Sequence, residues 1–135
     1  MAEDKNISFI NSVIQQTRDN KLKWEYLDTN QVLYQGMGWF TKKVDFGFFS
    51  SKETLTPNFN VEDSFYVRIQ DFYVVIYVRG DQPAQLFVVP NTYKKVVSLK
   101  PDEYGDYITQ LLNLVQCKFP DASKFIDKFV CNKHS

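Results

Sequence analysis

Residues 65–78 read FYVRIQDFYVVIYV and carry the clearest pattern in the 135-residue chain. Apolar and polar or aromatic residues alternate with a period of two, which is typical of strands that bury one face. A two-residue turn at 70–71 would place the apolar residues on one face of the hairpin. A register shifted by one position would scatter them, so the pattern itself selects this pairing. The predicted pairs are Ile69 with Phe72, Val67 with Val74 and Phe65 with Ile76.

The opposite face of this predicted hairpin carries tyrosine and arginine. These side chains combine apolar area with a polar end, and they are enriched at protein-binding hot spots. Two interpretations are open: the face is a partner or ligand surface if solvent reaches it, and a second core if a helix covers it. The candidate partner surface consists of Tyr66, Arg68, Tyr73, Tyr77 and Arg79.

The chain before the hairpin predicts a helix followed by less regular structure. Apolar residues recur at three and four positions over residues 6–20, with Asn6 as the expected N-cap. Residues 21–40 suggest a short strand or a turn. A strand is predicted at 43–49, and the Ser, Thr, Asn and Pro content of 50–60 predicts a loop.

The chain after the hairpin predicts two more strands, at 86–89 and 93–99, and then two helices. Pro101 is suited to the first position of a helix, where its missing N–H costs nothing. Pro120 is expected to end this helix, and Asp121 to cap the last one. The side chains expected to face inward from the last helix are Phe125, Ile126, Phe129 and Val130.

Together these elements predict a single α+β domain over residues 1–135. It has an N-terminal helix, a central antiparallel β-meander of about four to five strands and two C-terminal helices. Aromatic residues make up 16% of the chain, which supports a sheet-rich core. The 16 basic and 16 acidic side chains give zero net charge, which argues against a nucleic-acid partner.

The sequence predicts a cytoplasmic protein. Its N-terminus lacks the basic and apolar regions of a signal peptide, and no run reaches the roughly 18 apolar residues of a membrane span, so no membrane association is expected. Cys117 and Cys131 match no zinc spacing and are interpreted as free thiols of a reducing compartment.

No residues are assigned to catalysis, to a cofactor or to a metal. His134 is the only histidine and lies next to the chain end, so mechanisms that need a central histidine lack it. Asp102, Glu103 and Asp106 cluster near a predicted helix start, where the helix dipole favours negative charge. The chain is therefore expected not to be an enzyme.

Several short motifs resemble a loose set of small uncharacterised bacterial and phage proteins. The resemblance implies the same α+β fold with a central antiparallel sheet, and it transfers no catalytic residue. The motifs are Phe9-Ile10, Lys23-Trp24, Asp63-Ser64-Phe65-Tyr66, Val89-Pro90-Asn91, the helix at 111–115, Phe119-Pro120 and residues 125–129.

The leading functional hypothesis is a non-enzymatic cytosolic binding or adaptor domain, of the immunity or inhibitor type, that contacts another protein. One alternative is a small-ligand or nucleotide pocket between the sheet and the helices. A second is a single-stranded nucleic-acid binder that stacks bases on aromatic side chains. An aromatic sheet face also suits contact with a second copy, so a homodimer is a further alternative.

Overall fold

The computed structural model describes residues 4–36, 41–45, 53–119 and 122–133. Five strands form one antiparallel sheet in which their spatial order follows the chain, and the two strands that lie in sequence between the first and second of them pair in a separate two-stranded sheet. The predicted α+β class is confirmed. The elements are α1 (Lys5–Arg18), β1 (Glu25–Tyr26), a short 3₁₀ helix (Leu27–Thr29), α2 (Gln31–Gly36), β2 (Thr41–Asp45), β3 (Glu53–Pro57), β4 (Phe65–Ile69), β5 (Phe72–Tyr77), β6 (Gln85–Pro90), β7 (Val97–Leu99), α3 (Pro101–Gln116) and α4 (Ala122–Lys133).

The hairpin of β4 and β5 has the predicted register. Gln70, the first turn residue, adopts a left-handed φ of 53°, as two-residue hairpin turns require at this position. Phe65, Val67 and Val74 are almost completely buried on the predicted apolar face. The cross-strand pairs are Ile69 with Phe72, Val67 with Val74 and Phe65 with Ile76.

Helices α1 and α3 cover the apolar face of the sheet and form the first core with it. Pro101 is the first residue of α3, as predicted. A hydrogen bond from Asn6 Nδ2 to the hydroxyl of Tyr104 joins the two helices at 3.0 Å. The fully enclosed side chains of this core are Ile10, Val74, Ile76, Leu86, Ile108, Leu111 and Val115.

The expected N-cap of α1 is wrong by two residues. Asp4 caps the helix, and its carboxylate accepts hydrogen bonds from the backbone N–H groups of Asn6 and Ile7. Asn and Asp are similarly good caps, so residue type alone does not distinguish Asn6 from Asp4. The negative charge of Asp4 also interacts favourably with the positive end of the helix dipole.

The loop predicted at 50–60 is wrong in its middle, where β3 pairs with β2 along five residues. Thr54 and Thr56 are β-branched and suit a strand once a partner strand lies beside them. The predicted strand at 43–49 is confirmed over residues 43–45, and its remainder lies outside the described residues.

The inward orientation expected for the last helix is also wrong. Helices α1 and α3 already cover the apolar face of the sheet, and spacing along a helix shows only which residues share a face. The expected positions of Pro120 and Asp121 lie outside the described residues. The exposed fractions in α4 are 60% for Phe125, 62% for Ile126, 62% for Phe129 and 47% for Val130.

This difference in burial predicts unequal effects on stability. Leu111→Ala should lower the free energy of unfolding by about 2–5 kcal/mol, because Leu111 is fully enclosed. Phe125→Ala should change it by less than about 0.5 kcal/mol, as exposed substitutions usually do. Urea denaturation followed by circular dichroism measures both values. Equal losses in the two variants would show that α4 packs against the domain in solution.

Candidate functional site

The second face of the sheet carries the candidate partner surface. Directly paired residues of neighbouring strands lie on the same face, so the register places the predicted residues in rows. Arg68 lies opposite Tyr73, and Tyr66 lies between Glu25 and Val75. The pairings of Arg68 with Tyr73 and of Tyr66 with Val75 follow from the hairpin register that the sequence predicts.

The centre of this second face is a core. Val75, Phe87 and Val89 are completely buried there. The chain from the 3₁₀ helix to α2, together with the residues before β4, supplies the side chains that cover them. These covering side chains are Leu27, Leu33, Tyr34 and Phe59. Of the two interpretations that the sequence left open, the covered one describes the centre of the face.

The residues around the covered centre are partly exposed to solvent. Tyr66, Tyr73 and Tyr77 are half-buried at its margin, whereas Arg68 and Arg79 are exposed. The predicted surface therefore divides into two groups. Tyr66, Arg68 and Tyr73 lie close to one another, while Tyr77 and Arg79 lie beyond them along the sheet.

The first group is held in place by hydrogen bonding and ring contacts. Tyr66 donates a hydrogen bond of 2.8 Å from its hydroxyl to Oε2 of Glu25 on β1. The rings of Tyr66 and Tyr73 lie 6.2 Å apart at 58°. Such tilted aromatic pairs are favourable, so the two rings hold each other in a defined orientation.

Tyr93, in the loop between β6 and β7, joins the first group. Its backbone has a φ of 61°, and its N–H donates to the carbonyl of Pro90 at 2.8 Å. Its ring lies against Gly36 at the end of α2. We call Tyr66, Arg68, Tyr73 and Tyr93 the tyrosine–arginine end.

The sequence did not identify Tyr93 as a site residue. The strand predicted at 93–99 forms only over Val97–Leu99, and Tyr93 lies in the loop before it, 20 residues after Tyr73. The contact arises because the loop folds onto the hairpin, where the N–H of Asn91 donates to the carbonyl of Asp71 at 2.9 Å. No local pattern encodes that tertiary contact.

The second group has a structural role. The hydroxyl of Tyr77 donates a 2.6 Å hydrogen bond to the carbonyl of Asn58, and its ring packs edge-on against Phe87. Tyr77 thereby fixes the chain segment that brings Phe59 over the second core. Arg79 remains exposed beside it.

The phenols of this face are kept in their neutral form. Burial raises the pKa of Tyr66, and the neighbouring Glu25 carboxylate raises it further. Burial also raises the pKa of Tyr93, the neighbouring Tyr73 raises it further, and the charge of Arg68 lowers it. Burial raises the pKa of Tyr77 against the lowering effect of Arg79. At neutral pH these hydroxyls keep their protons, and those of Tyr66 and Tyr77 are already donated to Glu25 and to the carbonyl of Asn58.

The acidic cluster predicted near a helix start lies at the N-terminus of α3. Asp102, Glu103 and Asp106 line a shallow depression of about 190 Å³ together with other residues of the same helix. Pockets for small ligands usually occupy roughly 300–1,000 Å³. This depression is formed by α3 alone, so it is not the pocket between sheet and helices that the sequence suggested as an alternative.

Other chemistry is sparse in the described part of the chain. Within the described ranges, no three His, Cys, Asp or Glu side chains are grouped so that they could hold a metal ion. Cys117 is an exposed free thiol. Cys131 and His134 lie where side chains are not described. None of the described helices has the length and apolar character that crossing a membrane requires.

No protein-family model matches the chain, and no curated protein or solved structure is significantly similar to it. The function must therefore follow from the chemistry of the surface itself.

The raised tyrosine pKa values predict a loss of stability at alkaline pH. A phenol whose pKa is higher in the folded protein than the ordinary value of 10.0 stabilises the fold at every pH below that value. This contribution is lost as the pH rises through the higher, folded-state pKa. The urea midpoint of the natural protein should therefore fall above pH 10.

The variant Tyr66→Phe serves to isolate one of these phenols, because phenylalanine keeps the ring and cannot ionise. Its urea midpoint should fall less steeply above pH 10 than that of the natural protein. Absorbance near 295 nm follows phenol ionisation in both proteins. Identical slopes would contradict the assigned effect of burial on Tyr66.

Proposed function

We propose that this chain is a non-enzymatic binding domain of the cytoplasm that holds a protein partner at the tyrosine–arginine end. The observation that carries the proposal is the grouping of three half-buried tyrosines around the exposed Arg68 on one margin of the sheet. An immunity or inhibitor protein, which blocks a larger protein by contact alone, is the type of function that such a surface serves.

The composition of this surface supports binding to a protein. Tyrosine and arginine are enriched among the residues that contribute most to protein interfaces. Tyrosine offers a large contact area with few rotatable bonds, so little conformational entropy is lost when a partner immobilises it. The hydroxyls of Tyr73 and Tyr93 add polar groups to this surface, whereas the hydroxyl of Tyr66 is already donated to Glu25.

The surface is organised before a partner arrives. Tyr66 is fixed by Glu25, and Tyr93 is fixed by the backbone turn at Pro90 and by Gly36. Because these side chains already hold their positions, association loses little conformational entropy in ordering them. A pre-organised surface of this kind favours tight contact from a modest area.

The proposal predicts that substitutions at the tyrosine–arginine end abolish binding without unfolding the domain. Affinity purification from the source organism, with quantitative mass spectrometry, should recover a protein with the natural chain. The double variant Arg68→Ala with Tyr73→Ala should recover it at about one-tenth of that level or less, since interface hot spots contribute at least about 2 kcal/mol.

Gln110→Ala is the matched control, because Gln110 is exposed on α3, on the other side of the sheet. The control should recover the partner at the natural level. Circular dichroism and thermal unfolding verify that both variants fold. Equal recovery by the natural chain, the double variant and the control would refute a partner site at this surface.

A further inference from the structure

The tyrosine–arginine end lies next to additional positive charge. Lys94 and Lys95 follow Tyr93 directly and are exposed. The hydrogen bond from Asn91 to Asp71 holds this loop against the turn that follows Arg68. The sequence has zero net charge overall, so three basic side chains in these neighbouring segments form a local excess.

Two carboxylates lie in the same region, and neither cancels this excess. Oε1 of Glu25 lies 3.8 Å from Nζ of Lys23, so its charge is paired with a separate lysine. Asp71 is exposed at the tip of the hairpin, so water screens its charge. Arg68, Lys94 and Lys95 are exposed and screened in the same way, and these three cations outnumber the one carboxylate.

Arg68 donates from Nε to the carbonyl of Gln70 at 3.4 Å, and the two terminal guanidinium nitrogens are its remaining donors. Guanidinium nitrogens donate and never accept, and a neutral phenol can donate its proton. Tyr73 and Tyr93 pack against the same second core, and the nearby charge of Arg68 lowers the pKa of Tyr93. Arg68 also lies opposite Tyr73 in the sheet. The three side chains therefore reach the same small region.

Building on the proposed function, we infer that Arg68, Tyr73 and Tyr93 bind an oxyanion carried by the partner. A carboxylate and a phosphate share the chemistry that these residues recognise, because both offer several acceptor oxygens to the planar guanidinium fork. Phenol hydroxyls and the lysines of the adjacent loop add donors and positive charge. The partner therefore presents an acidic or phosphorylated side chain at this position.

Arg79 provides an internal comparison. It is also an exposed arginine beside a tyrosine of the same sheet face. The Tyr77 hydroxyl beside it already donates to the carbonyl of Asn58. A site made by any exposed arginine would form equally at Arg79, whereas the inferred site requires Arg68 together with Tyr73 and Tyr93.

The test is a titration of the isotope-labelled full chain at constant ionic strength, followed by NMR. The probes are inorganic phosphate, acetate, and three peptides of equal length whose central residue is glutamate, phosphoserine or glutamine. We expect saturable shifts of the Arg68 side-chain N–H and of the backbone amides of Tyr73 and Tyr93. The glutamate and phosphoserine peptides should bind at least about tenfold more tightly than the glutamine peptide.

Three variants decide between a site and general attraction of anions. Arg68→Gln should weaken binding about tenfold, and Arg68→Lys, which keeps the charge and loses the fork, should give an intermediate value. Arg79→Gln, which removes the same charge elsewhere, should bind as the natural chain does. Equal weakening by Arg68→Gln and Arg79→Gln, or no weakening by either, overturns the inference.

The relative affinities identify the source of the oxyanion. Tighter binding of the phosphoserine peptide assigns a phosphorylated partner, and equal or tighter binding of the glutamate peptide assigns an acidic one. Glutamine binding as tight as either overturns the inference. If affinity purification still shows loss of a partner in the double variant, the proposed function stands while the oxyanion inference fails. The spectrum of Arg68→Gln verifies its fold, and Tyr93→Phe repeats the test should that variant unfold.

Discussion

The pairing register of β4 and β5 is the constraint on which both layers of this protein depend. With Val67 opposite Val74, the apolar side chains of the hairpin meet α1 and α3, and the tyrosines and Arg68 emerge on the other side. A slip of one residue would exchange the two faces. Such a shift would disrupt both the first core and the candidate surface, because both depend on the same cross-strand pairs.

The same constraint explains why the candidate surface is stiff. Tyr66 and Tyr73 stand on paired strands in the interior of a five-stranded sheet, and their rings contact the margin of the second core. Only their outer parts and the neighbouring Arg68 are free to meet another molecule. Rigid strands position side chains more accurately than loops do, which suits recognition by contact.

The sequence was informative where structure is local. The hairpin register follows from alternation over residues 65–78, and the start of α3 follows from Pro101, because both depend on neighbours in the chain. Long-range packing was not accessible in this way. The cover supplied by Leu33 and Phe59, and the approach of Tyr93 to Tyr73, depend on which segments meet in space.

Two wrong expectations have the same physical origin. The apolar spacing of α4 correctly indicates one helical face, but the buried or exposed state of that face depends on the space left by α1 and α3. The strand β3 has a polar composition that resembles a loop, and it becomes a strand through pairing with β2. In both cases a partner distant in sequence decides the outcome.

Strand β5 buries three consecutive side chains, at Val74, Val75 and Ile76. This strand therefore separates the two cores, with Val74 and Ile76 facing the first core and Val75 facing the second. A change of volume on either side displaces the backbone that both cores use. A substitution that changes side-chain volume in the first core is therefore expected to alter the packing of Val75 in the second core as well.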